Sequence, residues 1–571
     1  MAKQEKSVAE LVRMIEQQAL ALPEMQRGYV WRSTRVRDLL DSLYRGYPSG
    51  VILCWQTQDD VARADFAVAT SGDGGVRPML LLDGQQRLTS LSAVIRGEKV
   101  TVKGRKKPID ILFNLDHPDD VGIVTEVEED KEVEDDDLDG DDAEDDIVER
   151  MKRRTFVVAN KQMAALPNWV SVTEVMKQPD NAPFLQAAGV TSFSDPNYAR
   201  YNERLTRLRG IKDYVYRMDV LEETLSYEEV TEIFVRVNSL GAKLRGSDLA
   251  LAQITARWRG SLATFQEFQS ECQDAGFNLD LGLHVRTLVA LITDQSRFKT
   301  VGSIPREALE AGWKRTTNAM LRAINFAQAN AGIEAPILLT SPLALVVLAY
   351  WFDRHDRTMT EDEARDLRRW LLLANAKGHW SRGSSETILD QDLAVLRDGG
   401  SPKTLTDRLA VQVGHLDVRI DDLEGRNMRS ALFKAMFLAF AAEGAQDWFT
   451  GLNISAKHSG SKDRLQFHHV FPRAYLRKHR PDIKPNQVDD IANLAFIGGS
   501  TNQSISAKAP TDYLARLSVE KPKLLQAQRI PSDPALFEPD RYLDFLEARR
   551  ALIADRLTEF LVEPFDSSAP R

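Results

Sequence analysis

Apolar positions recur at helical spacing between Tyr198 and Ala442, in strings such as VTEIFVRV, LALAQITARW, VRTLVALI, LALVVLAYWF and LRRWLLLANA. This predicts a mostly α region. Upstream the pattern is mixed: Val51 to Trp55 and Met79 to Leu82 are apolar runs of strand length that follow Gly or Pro punctuation, with helical patterns around them. The opening MAKQEKSVAELVRMIEQQ reads as one amphipathic helix without the continuous apolar run of an export signal. After Gln446 come short apolar runs, a dense histidine cluster and many turn residues, which mark a smaller module. The expected class is therefore α+β, mostly α. Residues 1–197 form an α/β domain, 198–445 a helical domain and 446–571 the module with C-terminal helices. The longest apolar stretch, Pro336 to Phe352, is broken by Thr340, Ser341 and Pro342; it is too short to span a bilayer and reads as a buried helix, so no membrane partner is expected.

A chain of 571 residues exceeds what one hydrophobic core supports. Its net charge of −10 argues at first against a nucleic-acid partner. Between Glu126 and Glu149, however, 16 acidic residues stand against Lys131 alone, and the remaining chain carries 73 basic residues against 68 acidic. That run has almost no apolar content and is expected to be an extended or disordered insertion. It is open to three readings: a solvated segment, a metal binder, or an imitator of DNA in a basic groove. The two cysteines, Cys54 and Cys272, form no Cys-x-x-Cys pair, which points to the cytoplasm rather than a disulfide-forming compartment.

Four of the nine histidines lie between His458 and His479, two of them adjacent in LQFHHVFPRAYL. Neighbouring side chains on a strand point to opposite faces, so His468 and His469 can serve one site only at a strand end or turn, which Pro472 helps to supply. Downstream, in DDIANLAFIGGSTNQSISAKAP, Asn493 precedes an apolar run and Asn502 follows a GGST turn at the start of a helix. Strand, turn, strand and helix can bring the four polar groups together. The alternative is that the paired histidines pack beside Phe467 and Phe471 and satisfy backbone groups.

In MLLLDGQQRLTSLSAVIRG an apolar strand ends in Asp83-Gly84 and passes through Gln85, Gln86 and Arg87 into a helix. Such a turn presents free N–H groups at a helix N-terminus, a favourable place for an anion. Arg87 adds a fork of donors for phosphate oxygens, and Asp83 can hold an accompanying Mg²⁺. An arginine capping a strand end against Asp83 explains the same residues. Tyr29 and Trp31 fit aromatic packing or base stacking.

The stretch Leu465 to Leu514 resembles the His-Asn-His, or ββα-metal, nuclease motif, in a variant with a His-His pair followed by Pro. By that resemblance His469 is the general base, a role suited to imidazole. His468 and Asn502 ligate one divalent ion, Mg²⁺ or Mn²⁺, and Asn493 holds the base loop. The strings Leu22 to Trp55, Met79 to Gly97 and Phe234 to Ile254 together resemble the sensor domain of GmrSD-type and BrxU-type modification-dependent restriction enzymes. GSSETILDQDL, Gly383 to Leu393, is similar to that group's helical region. This implies an N-terminal fold similar to ParB and sulfiredoxin domains, in which Asp83, Gly84, Gln85, Gln86 and Arg87 contact a nucleoside triphosphate. Gln26 and Arg27 would lie nearby, with Arg236 and Asn238 as additional polar contributors. The implied activity is nucleotide-controlled cleavage of modified double-stranded DNA, of the type IV kind directed against phage; the base of the nucleotide (GTP, UTP, CTP or ATP) and a homodimeric assembly stay open. Two rival readings are a nucleotide-driven DNA-binding regulator with a degenerate nuclease fold, and an RNase or toxin using the same metal chemistry.

Overall fold

The computed structural model describes residues 2–23, 31–57, 63–64, 78–102, 105, 107–118, 151, 154–240, 246–456 and 465–562. Gln26, Arg27, Tyr29, the acidic insertion at 126–149 and His458 lie outside the described residues, as does the side chain of Asn238. The chain packs as two compact units, Met1–Gly260 and Ser261–Arg571, where the sequence pattern suggested three segments divided at 197 and 445.

The first unit is built on a six-stranded mixed sheet. Its strands are β1 (Ala2–Ser7), β2 (Leu20–Pro23), β3 (Ile52–Trp55), β4 (Arg63–Ala64) and β5 (Met79–Asp83). A smaller sheet of β6 (Ile111–Asn114), β7 (Phe156–Val158) and β8 (Trp169–Ser171) follows, and β9 (Val215–Leu221) returns to complete the first. The large sheet runs β1-β9-β3-β5-β2-β4 and the small one β7-β6-β8. Helices Val8–Glu16, Ser33–Arg45 and Gln85–Ile95 close the core through Val8, Leu11, Leu40, Leu88 and Leu91, in one cluster with Met218 of β9.

Two features differ from the sequence pattern. Residues 2–7 are strand, not helix, pairing antiparallel with β9 from Ala2 opposite Val220 to Ser7 opposite Val215. The helix starts only at Val8, where Ser7 and Glu10 form a reciprocal capping box: Glu10 N–H donates to Ser7 Oγ at 3.2 Å and Ser7 N–H to Glu10 Oε2 at 2.8 Å. The polar string AKQEKS makes a charged edge strand that needs no apolar stripe. The second difference is β9 itself, which places 215–221 between β1 and β3, so the first unit extends through the helices Tyr227–Leu240 and Gly246–Arg257.

The second unit is mostly helical. Of the stretch 336–352 read from sequence as one buried helix, only the part from Leu343 belongs to an α-helix, Leu343–Arg354, with Ala344 to Phe352 all buried; Pro336–Leu338 is a separate short turn whose Ile337 is 69% exposed. No helix among the described residues is long and apolar enough to cross a membrane. Near the end of the chain β10 (Leu465–His469) and β11 (Leu494–Gly498) pair antiparallel, and β11 runs directly into the helix Gly499–Ile505. This small layer is anchored by Phe496, whose ring meets Phe433, Phe437 and Phe440 of the helix Ala431–Ala442 at 5.0, 5.3 and 6.0 Å. On the free side of β11, the Gln528 carboxamide both accepts from Phe496 N and donates to Phe496 O, each at 2.8 Å. One side chain thus takes the place of a third strand. Arg549, fully buried, donates to Ala492 O at 2.7 Å and Gln528 O at 3.1 Å, and its burial pushes the guanidinium pKa down to about 9.

Candidate active site

The strand–turn–strand–helix segment of the second unit holds all four polar residues singled out from sequence, each in hydrogen bonds of its own. His468 and His469 end β10, opposite Ala495 and Leu494. Their side chains diverge, as a strand dictates. His468 turns inward, with the rings of Trp448 and Tyr513 each 6.1 Å away, and its Nδ1 lies 2.7 Å from Asn502 Oδ1. Asn502 sits mid-way along the short helix and is half-buried. Burial, partly opposed by the bond to Asn502, pushes the His468 pKa down to about 4. At neutral pH this imidazole is therefore uncharged, as a metal ligand must be.

His469 takes a different partner. Its Nε2 lies 2.9 Å from Asp489 Oδ1, and Arg473 donates to that same oxygen through Nε at 3.1 Å and Nη2 at 2.7 Å. The hydrogen bond from His469, reinforced by Arg473 against the effect of burial, holds the Asp489 carboxyl below its ordinary range. An ionised Asp489 fixes the tautomer in which Nε2 carries the hydrogen and Nδ1 carries the lone pair. That is the arrangement of a base and its orienting carboxylate.

Asn493, fully buried, joins the two halves of the loop. Its Oδ1 accepts from Phe471 N at 2.8 Å, and its Nδ2 donates to Phe471 O at 3.2 Å and Val488 O at 2.9 Å. The segment after the histidines is thereby tied to the segment that carries Asp489. A further carboxylate holds the helix: Asp447 accepts from Gly498 N and from the Thr501 hydroxyl, both at 2.7 Å, beside Asn502. Burial alone would raise the Asp447 pKa, but these bonds and those from Thr450 more than offset it and hold it low.

Sequence reasoning missed Asp489, Arg473 and Asp447. The first sits in the DDIAN string four residues before Asn493, where two adjacent aspartates are equivalent on paper. The fold separates them: Asp490 is buried against Arg550 at 2.6 Å and caps the turn through Ala492 N, which leaves Asp489 to His469. Asp447, 51 residues before its partner Gly498, carries no local signal. Among the described residues no group of three or more His, Cys, Asp and Glu converges as a metal cluster. The donors able to hold an ion here are His468 and Asn502. In the structure the 2.7 Å contact between His468 Nδ1 and Asn502 Oδ1 is a hydrogen bond, which the carboxamide oxygen accepts, so an ion shared by these two atoms would take the place of that hydrogen.

The DGQQR turn in the first unit has a different character. Gly84 adopts φ +105° at the start of the helix Gln85–Ile95, and no side chain caps the first turn. At that φ any L side chain is strained, and a Cβ would also require Ile52 Cδ1, 2.5 Å away, to shift. Gln85 is buried, and Gln86 Oε1 accepts from Trp31 N at 3.2 Å; Trp31 packs against the core. Arg87 is mostly committed to the protein: Nη1 donates to Ser49 O at 2.6 Å, and Nη2 to Val51 O at 2.8 Å and Asp83 at 3.0 Å. Its fork therefore clamps the chain entering β3 to the end of β5. Arg236 is exposed on the helix Tyr227–Leu240 and paired with Glu232 at 2.8 Å.

Residues 8–255 match the GmrSD restriction endonuclease N-terminal domain family. The match takes in β2 to β9, the DGQQR turn and the helices as far as Thr255, nearly the whole first unit. The chain is also similar to an uncharacterised protein of Methanocaldococcus jannaschii, 21% identical over 565 residues that cover 90% of this chain and 87% of that protein.

Proposed function

We propose that the chain is a metal-dependent DNA endonuclease that cuts modified DNA, with its nuclease centre in a His-Asn-His module of the second unit. The observation that carries this reading is the pairing of two adjacent histidines with two different partners. His468 meets the Asn502 carboxamide, while His469 meets an Asp489 that is itself held by Arg473. One imidazole is thereby suited to an ion and the other to a proton. A divalent ion held by His468 and Asn502 would supply Lewis-acid stabilisation of the charge that builds on the scissile phosphate. Mg²⁺ or Mn²⁺ is the favoured ion. His469, oriented by Asp489, takes the proton from the attacking water; Asn493 keeps the loop behind the histidines in register.

The similarity of residues 8–255 to a restriction-enzyme domain supports DNA as the substrate, and the reading assigns to the first unit the decision of when cutting occurs. Nucleoside triphosphate control belongs to this reading through the DGQQR turn. There the glycine turn that opens the helix Gln85–Ile95, with no side-chain cap, is the place suited to phosphate. Arg87 contributes by holding the turn in shape.

The test is incubation of plain and glucosylated hydroxymethylcytosine-containing phage DNA with Mg²⁺ or Mn²⁺, with and without triphosphate. Metal-dependent cleavage of the modified DNA is expected, lost in His469→Ala. Persistence of full cleavage in that variant removes His469 as the base, and equal cutting of matched RNA removes the restriction role.

A further inference from the structure

A basic feature of the second unit lies outside the histidine centre. A cleft of about 320 Å³ opens between the segments 376–382, 413–422 and 426–432, lined by Lys377, Arg382, His415, Arg426 and Arg429 with Asp422 as the one acidic wall residue. The acidic groups are already engaged. Asp422 lies 3.7 Å from both Lys377 Nζ and His415 Nε2, and Asp417 lies 3.3 Å from His415 Nδ1. Arg382 and Arg426 are anchored through Nε, to Lys377 O at 2.9 Å and Asp422 O at 3.2 Å. Among the described residues the terminal nitrogens of these two arginines meet no carboxylate.

Arg382 and Arg426 are both exposed, and each turns donors suited to a phosphate fork into one cleft. A structural salt-bridge network would pair them with carboxylates, whereas here both are held by backbone carbonyls. The cleft is also tied to the candidate active site. Gly425 N donates to Asp490 Oδ2 at 3.2 Å, and Ile491 N donates to Arg426 O at 2.7 Å. The rim that carries Arg426 is therefore hydrogen-bonded to the turn next to Asp489.

We infer that this cleft is a backbone-phosphate subsite, holding DNA phosphates that flank the scissile bond and orienting the strand toward His469. The inference rests on the nuclease reading, which it deepens by assigning where the uncut part of the substrate lies. Arginine–phosphate pairs of this kind carry no base information and act through charge, so they place the strand without choosing its sequence.

The experiment uses the full chain in the absence of divalent metal and measures duplex binding across a salt series. Arg382→Ala/Arg426→Ala is expected to weaken binding about tenfold and to flatten the salt dependence by about 1.8, at ~0.9 for each phosphate that is no longer neutralised. Arg382→Lys/Arg426→Lys keeps the charge and is expected to keep most of the slope. An unchanged slope in the alanine variant overturns the proposal. So does an equal loss in the lysine variant, which would mark a structural effect. Loss of triphosphate binding by calorimetry with duplex binding intact overturns it as well, by giving the cleft a different anion. Turnover of bis(p-nitrophenyl) phosphate with Mn²⁺ by the unmodified chain tests the nuclease reading separately, and its failure leaves the salt series to report on the cleft alone.

Discussion

His469 Nε2 and Asp489 Oδ1 stand 2.9 Å apart, and Arg473 grips the same carboxylate oxygen. This fixes which imidazole nitrogen is free to accept a proton. Asp489→Asn keeps the shape but can present an N–H where an acceptor is needed, favouring the opposite tautomer. The expected result is a fall in kcat of roughly 10²- to 10⁴-fold with little change in KM, because the defect is in proton transfer rather than binding. Supercoiled-plasmid nicking under saturating metal measures it. An Asp489→Asn enzyme with wild-type kcat would show that His469 does not depend on this carboxylate.

Asn493 contributes to stability as well as to the site. Its carboxamide satisfies Phe471 N, Phe471 O and Val488 O in a position closed to water. Asn493→Ala leaves those backbone groups buried and unpaired, at a cost of about 2–4 kcal/mol. The urea midpoint should fall accordingly. A variant of unchanged midpoint that loses only cleavage would instead assign Asn493 a role at the reacting atoms.

The division between what was legible in the sequence and what was not follows from distance along the chain. His468, His469, Asn493 and Asn502 fall within 35 residues of one another, and a strand–turn–strand–helix segment brings such spacing together through local pairing. Asp447 and Gln528 lie far from the strand they support, and only the fold connects them to it. In the first unit the DGQQR turn was readable as a strand passing into a helix, but Arg87 has two explanations on paper. Its choice of Ser49 and Val51 carbonyls depends on where the chain entering β3 passes. β1 and β9 escaped notice for related reasons. The former is a polar edge strand, and the latter is a period-two run set between helical stretches.

Asp447 links acid stability to the position of Asn502. Hydrogen bonds hold its pKa low in the folded chain, so its contribution is fully present above the unfolded carboxylate value of about 3.9. It is lost as pH falls through the lower folded value. Asp447→Asn sets an amide against either Gly498 N or the Thr501 hydroxyl and should cost about 1–3 kcal/mol near neutrality. The gap in Tm between wild type and variant is expected to be widest above about pH 5 and to narrow progressively below about pH 4. A gap that stays constant to about pH 3 would mean that the charge on Asp447 does not contribute.

Arg87 offers the sharpest test in the first unit, because a phosphate ligand and a structural clamp predict different losses. The guanidinium fills the space beside Gly50, whose φ is +96° and whose added Cβ would collide with Nη1. It spends its donors on two carbonyls and Asp83. Arg87→Ala should therefore lower stability by about 2–3 kcal/mol without any nucleotide present, read as a fall in Tm of several degrees. Arg87→Lys cannot reach both carbonyls at once and should fall between. Calorimetric titration with triphosphate on the folded variant separates the two roles. An unchanged Tm combined with lost triphosphate affinity would move Arg87 from the clamp to the ligand.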